Sequence, residues 1–176
     1  MASKATDILY CEHDVILDAL DAADRIGVLL GKNDEEFLRR AESLLKFFRE
    51  YGDQYHHKKE EEYLFPEMMK KNELIGEGIL AEMLENHSDF REMLARTEKC
   101  LKSNLLVEAN EIILKYSQAL RDHIAVENDE VFQMAETLLT EEECVKLGHR
   151  FDDADRELGL ERKEELVELA VSALKI

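Results

Sequence analysis

Apolar residues recur along most of this chain at alternating steps of four and three, the repeat of a helix with one face turned to a core. Leu9, His13, Ile16, Leu20, Ala23, Gly27 and Leu30 share such a face and predict a first helix over about residues 6–30. Gly31-Lys32-Asn33-Asp34 reads as a turn, with Asn33 or Asp34 placed to accept the first N–H groups of the next helix. That second helix carries Phe37, Ala41, Leu45, Phe48, Gly52, His56, Glu60 and Tyr63 on one stripe. Pro66 lacks an amide donor and is expected to kink or end it, about a turn earlier or at Pro66 itself. Lys70-Lys71-Asn72, Gly76 and Gly78 bracket a loop. A third helix follows over about residues 79–101, with Leu80, Met83, His87, Phe90, Leu94, Thr97 and Leu101 on its stripe. After a turn at Ser103-Asn104, a fourth is expected over about residues 106–139, with Ile113, Tyr116, Leu120, His123, Glu127 and Val131 inward.

Short loops between long helices favour antiparallel neighbours. The expected fold is therefore all-α, an up-down-up-down antiparallel four-helix bundle over residues 1–139. Residues 140–176 are expected to form a helical appendage packed on the bundle. In that tail Thr140 and Glu143 have the spacing of a capping box, Gly148 is expected to interrupt the helix they start, and Gly159 to separate a last helix built on Leu160, Val167, Val171 and Leu174.

Composition agrees with helices. The 176 residues are 45% hydrophobic, rich in Leu, Glu, Ala and Lys, with one proline and seven glycines. A net charge of −18 opposes binding to nucleic acid or to an anionic membrane surface. No apolar run approaches the roughly 18 residues of a membrane span, and Met1-Ala2-Ser3-Lys4 leads straight into a polar-apolar pattern without a signal-peptide core. A cytoplasmic location is the expectation. Cys11, Cys100 and Cys144 are far apart and form no Cys-x-x-Cys pair, so they read as buried or half-buried thiols of a reducing compartment; Cys11, two residues from His13, should point away from it.

The inward stripes carry histidines and carboxylates. A His and a Glu four residues apart lie on one helical face, and the pair occurs twice: His56 with Glu60, and His123 with Glu127. In both copies an aliphatic-Phe pair follows, Leu64-Phe65 and Val131-Phe132. The helices thus alternate between a lone His, at 13 and 87, and a His-x-x-x-Glu pair, which is an internal duplication of a helix pair. One inward His is ordinary core chemistry. Four of them with two Glu are not, because a buried unpaired carboxylate costs several kcal/mol and no Lys or Arg falls on the stripes facing Glu60 and Glu127. A metal pair supplies the missing charge, with imidazoles as terminal ligands and carboxylates able to bridge. Nitrogen and oxygen donors of this kind suit iron better than calcium or magnesium, with zinc and manganese also compatible.

The run from His56 to Pro66 and its echo from His123 to Phe132, with His13 and His87, resemble the hemerythrin-like family, also called HHE cation-binding domains. The resemblance spans about residues 7–136 and all four predicted helices in order. It implies a four-helix bundle holding a non-haem di-iron centre, with His13, His56, His87 and His123 as terminal ligands and Glu60 and Glu127 as bridges. The Glu-x-x-His signature of ferritin-type sites is absent: Asp53, Leu84 and Leu120 stand three before His56, His87 and His123. One departure matters. The oxygen-carrying hemerythrins have two His one turn apart on the third helix, whereas here the residues at that distance from His87 are Met83 and Arg91. The site is then more open, or completed by another group, which argues against reversible oxygen carriage and for reaction with oxygen, nitric oxide or peroxide.

His57 and Glu61 form a second His-x-x-x-Glu pair, shifted by one residue. Alignment of the two copies selects His56 and Glu60 and leaves His57 as an extra ligand or an outer donor. Glu61 and Glu62 read as a solvated acidic face, Tyr116 as packing and His149 as remote from the metal. Two function classes follow: a di-iron protein reacting with a small oxidant, as scavenger, sensor or oxidoreductase, or a metal-holding module for iron storage, supply or regulation without turnover. With no attached output domain in the sequence, the first class is expected to be a stand-alone binder or scavenger. A metal-free helical scaffold is the third reading.

The register is testable by metal analysis of purified variants. Glu60→Ala or Glu127→Ala should lose a bridge and most of the second metal, and Glu62→Ala should leave metal content unchanged; if Glu61→Ala empties the site while Glu60→Ala does not, the register is wrong by one residue.

Overall fold

Two stripes of side chains spaced four residues apart hold the polar centre of this chain in place. One is Phe48, Gly52, His56, Glu60, Leu64 and Met68; the other is His123, Glu127, Val131, Ala135 and Leu139; all are buried. A regular α-helix turns about 100° per residue, so four steps of four residues carry a stripe about 160° round, from core to solvent. The computed structural model, which describes residues 5–173, shows how that drift is avoided. The chain winds as π-helix over Phe48–His57 and Glu60–Leu64, and again over Glu127–Val131. Hydrogen bonding from i to i+5 winds more slowly than an α-helix, so the excess rotation cancels and both stripes stay inward.

Apart from short turns the described residues are helical, with no strand among them. Helix α1 (Ala5–Arg25) tightens into a 3₁₀ turn at Ile26–Leu29, short of the uniform helix expected to residue 30. Helix α2 (Asp34–Phe47) opens with Asn33 Oδ1 accepting from the Glu36 N–H at 3.1 Å, then runs through both π stretches into α3 (Phe65–Lys71). Pro66 therefore does not end the helix. It sits in the first turn of α3, where a missing donor is tolerated. A short α4 (Leu74–Glu77) fills the expected loop before α5 (Ile79–Lys102). Asn104 makes the turn with φ 56°, and α6 (Leu106–Val126) continues through the π stretch into α7 (Phe132–Leu138).

The tail holds α8 (Glu141–Leu158) and α9 (Leu160–Ala173). Thr140 and Glu143 form the capping box, but α8 passes unbroken through Gly148, because one glycine costs a helix only about 1 kcal/mol against alanine. The last helix turns a different face inward from the expected one. Leu166, Ala170 and Ala173 are buried; of the expected residues Val167 is half-buried against the larger core, Leu160 and Val171 are exposed, and Leu174 lies outside the described residues. Small alanines let α9 lie close on α1 and α2, with the Arg162–Glu50 ion pair linking it to the α2 line and Lys163–Asp155 linking it to α8.

Two apolar cores result. The larger gathers Ile16 and Leu20 of α1, Phe37 and Phe48, Phe90 and Leu94 of α5, and Tyr116 and Leu120 of α6. The smaller gathers Leu9, Leu64, Phe65, Met83, Val131 and Phe132 with Leu147 and Phe151 of α8. The histidines and glutamates of the inward stripes lie between the two cores. No helix among the described residues is long and apolar enough to cross a membrane.

Gly159, at φ 82° and ψ 140°, joins α8 to α9 in a conformation that a side chain resists, and an added Cβ would meet nothing within 4 Å. Gly159→Ala should therefore cost about 1–3 kcal/mol through backbone strain alone. Urea denaturation checks this; an unchanged midpoint would mean the linker is not held in this conformation.

Candidate metal centre

Winding decides which side chains reach the centre. On the α2 line the π stretch turns both His56 and His57 inward, and each is buried. His13 comes from α1, His87 from α5, His123 from the end of α6, and Glu60 and Glu127 from the first residues of their π stretches. All seven are at most 3% exposed.

They fall into two clusters able to hold a cation, with donor atoms within 4.8 Å of one another in each: His13, His56, Glu60 and Glu127 in one, His57, His87 and His123 in the other. The glutamates connect them. Glu60 Oε1 lies 3.5 Å from His56 Nε2 while its Oε2 lies 3.6 Å from His87 Nε2. Glu127 Oε2 lies 3.3 Å from His13 Nε2 while its Oε1 lies 3.1 Å from His123 Nε2. Each carboxylate therefore offers one oxygen to each cluster.

The sequence-derived residues His13, His56, Glu60, His87, His123 and Glu127 are all brought together. His57 joins them, its ring stacked on His87 with centroids 3.8 Å apart. The adjacent-His ambiguity is resolved by both rings facing in.

Outer polar groups set the ring tautomers. Asn128 Oδ1 accepts from His13 Nδ1 at 2.7 Å, Glu12 Oε2 from His56 Nδ1 at 2.9 Å, and Glu61 Oε1 from His87 Nδ1 at 2.8 Å. Asp53 Oδ1 stands 3.5 Å from His57 Nδ1. Asn86 Nδ2 lies 3.4 Å from His123 Nδ1; with the amide turned over, its oxygen would accept from that ring nitrogen. Where an acceptor holds the proton on Nδ1, as at His13, His56 and His87, Nε2 presents a lone pair to the centre, the arrangement of metal-bound imidazoles, whereas His57 Nδ1 is left without a hydrogen bond.

Behind these acceptors stand two cations. Arg91 donates to Asp53 at 2.7 Å and to Glu61 at 2.6 Å. Lys59 is fully buried and bonds Glu12. Glu61 is thus half-buried and engaged with His87 and Arg91, contrary to the expected solvated acidic face, while Glu62 is exposed. The sequence stripes also missed Lys59, but its charge goes to Glu12 and not to Glu60 or Glu127.

The atoms left over test the fit to a metal. All four oxygens of Glu60 and Glu127, together with His13 Nε2 and His56 Nε2, are buried without a hydrogen-bond partner. His87 Nε2 and His123 Nε2 face each other at 3.0 Å, two lone pairs that need a cation or a proton between them. Burial, then the charge of Glu127, pushes Glu60 well above the usual carboxylate range. Burial acts the same way on Glu127, but His123, His13 and His87 outweigh it and hold that carboxyl low. Burial pushes His56 down to about 4 and His57 well below its ordinary value, so both rings are neutral near pH 7, as ligands must be. The donor set fits a metal pair.

Remaining residues stay outside the centre. Tyr116 packs on Phe48 and Phe90, and His149 is exposed beside Asp152. No disulfide joins the cysteines; Cys11 points away from the centre as expected but is exposed, not buried.

An all-helical chain with an interior histidine-carboxylate centre is a cation-binding protein in class. The family model described as hemerythrin HHE cation binding domain matches residues 4–135, and the chain belongs to that family. No match is found among curated proteins or among solved structures.

His57→Ala separates the clusters. Metal per chain should fall by about half, because the three-histidine cluster loses a ligand while His13 and His56 keep theirs. Elemental analysis reads this, and unchanged metal content would place His57 outside the centre.

Proposed function

We propose that this chain holds a dinuclear non-haem iron centre and uses it to bind or react with a small oxidant such as oxygen, nitric oxide or peroxide. The observation that carries the reading is the split of the four unpartnered oxygens of Glu60 and Glu127 between two histidine clusters. In the proposed site His13 and His56 would hold one ion and His57, His87 and His123 the other, with Glu60 and Glu127 shared between them. His57 then completes what Met83 and Arg91 leave missing beside His87. Five imidazoles and two carboxylates suit iron, and they also accommodate zinc or manganese.

The fold reading belongs to the same proposal. Helix α1 passes from the smaller core to the larger, the α2 line from larger to smaller, α5 from smaller to larger, and α6 back again. That alternation supports an up-down-up-down four-helix bundle, with α8 and α9 as an appendage added to it and the bundle ending near residue 139.

A bound iron pair would supply redox-active Lewis acids with coordination positions for a diatomic or peroxide ligand. The chain's own residues supply the rest. His56 and His57 stay neutral, Glu12, Asn128 and Glu61 fix the ring orientations, and Phe65, Phe90 and Phe132 lie against the rings and keep water from them. A net charge of −18 opposes nucleic acid and anionic membrane surfaces as partners, and a cytoplasmic location remains part of the proposal.

A second reading, metal holding for storage, supply or regulation without turnover, is supported by the near-complete burial of the seven donors. One experiment separates the two. The iron-loaded, reduced protein should show new charge-transfer absorption on exposure to oxygen, nitric oxide or peroxide, with about two irons per chain by elemental analysis. Two irons with no spectral response would favour the second reading, and no bound metal would contradict both.

A further inference from the structure

Lys59 is the one lysine or arginine buried among the described residues, and it lies between a metal-ligand helix and the tail. Its Nζ bonds Glu12 on α1, donates to Asp155 Oδ1 on α8 at 2.9 Å, and sits 3.8 Å from the centroid of the Tyr55 ring. Those three directions use the whole ammonium group. Glu12 in turn accepts from His56 Nδ1 through its other oxygen. Asp155 also accepts from the Tyr55 hydroxyl, and its second oxygen lies 3.2 Å from Lys163 Nζ on α9. A continuous line of charge-assisted hydrogen bonds therefore runs from α9 through Asp155, Lys59 and Glu12 to His56. Asp155 and Lys163 lie beyond residues 4–135, the part matched by the family model.

We infer that Glu12, Lys59 and Asp155 are positioning residues through which the two tail helices set the donor strength of His56, and with it the cation affinity of that half of the centre. The inference rests on the metal-holding reading above. A carboxylate bonded to Nδ1–H strengthens imidazole as a ligand. Lys59 draws charge from Glu12 and so weakens that effect; Asp155 draws Lys59 back and restores it. Lys163 competes with Lys59 for Asp155. Charge changes at the surface of the tail thus arrive at His56 with opposite signs depending on which partner is removed.

The test is a chelator-competition titration of Co(II) into full-length metal-free protein, with the Co(II) d–d absorption recorded alongside and helical circular dichroism confirming the fold. Asp155→Asn should weaken Co(II) binding at the His56 half by about three- to tenfold. Lys163→Met, which breaks the same α8–α9 contact from the other side, should tighten it by about twofold, and the absorption bands should move in opposite directions in the two variants. In a Glu12→Gln background Asp155→Asn should have no further effect. Equal affinities in all variants, shifts of the same sign in both, or an Asp155→Asn effect that survives Glu12→Gln would overturn the relay while leaving the metal site intact. A wild-type protein that binds no Co(II) would instead overturn the metal reading itself, and the relay with it.

Discussion

Two buried carboxylates facing each other's field set the terms for the rest of this structure. Glu60 and Glu127 have no exposed surface and no hydrogen-bond donor on any of their four oxygens. An uncompensated carboxylate in such a place costs several kcal/mol, and the whole stability of a domain is about 5–15 kcal/mol. Without a cation the pair answers by keeping Glu60 protonated, its carboxyl pushed well above the usual range by burial and by Glu127; a bound positive charge removes that need. The chain has cations nearby, Lys59 and Arg91, yet spends both on the outer acids Glu12, Asp53 and Glu61. What is left for the inner oxygens is the set of imidazoles, of which burial holds His56 and His57 neutral, and any cation those imidazoles hold.

The surrounding architecture follows from keeping that polar layer in register. Apolar cores on either side exclude water, which raises the worth of every electrostatic contact between them. Unwinding into π-helix at the ligands keeps two four-residue stripes straight and turns in two consecutive histidines where a regular helix would present one. His13, His56 and His87 are each braced from outside by an acid or an amide, and the outer acids are braced by Lys59 and Arg91. Removing any brace frees a ring without exposing it.

Much of this was legible in the sequence. Long amphipathic stripes and the repeat of His56-Glu60 in His123-Glu127 carried the helices, the family and six of the seven inner residues, because spacing on a helix converts directly into a shared face. His57 was harder. Periodicity at 3.6 residues allows only one of two adjacent histidines to face inward, and the π winding that admits both leaves no local signature in composition. Glu61 was misread and Lys59 passed over for a related reason: charged residues beside a ligand stripe look solvated until the opposite helices, with Glu12, Asp155 and Arg91, are in place. Gly148 in α8 and the rotated face of α9 failed on weaker grounds, since helix context overrides one glycine and close packing on α1 and α2 favours the face with the small residues Ala170 and Ala173.

A crystal structure of the iron-loaded protein with anomalous scattering data at the iron edge addresses the central claim most directly. The account predicts two iron peaks about 3.5–4 Å apart, one beside His13 and His56 and the other beside His57, His87 and His123, each contacted by one oxygen of Glu60 and one of Glu127. A single peak, or iron bound away from the two glutamates, would contradict it.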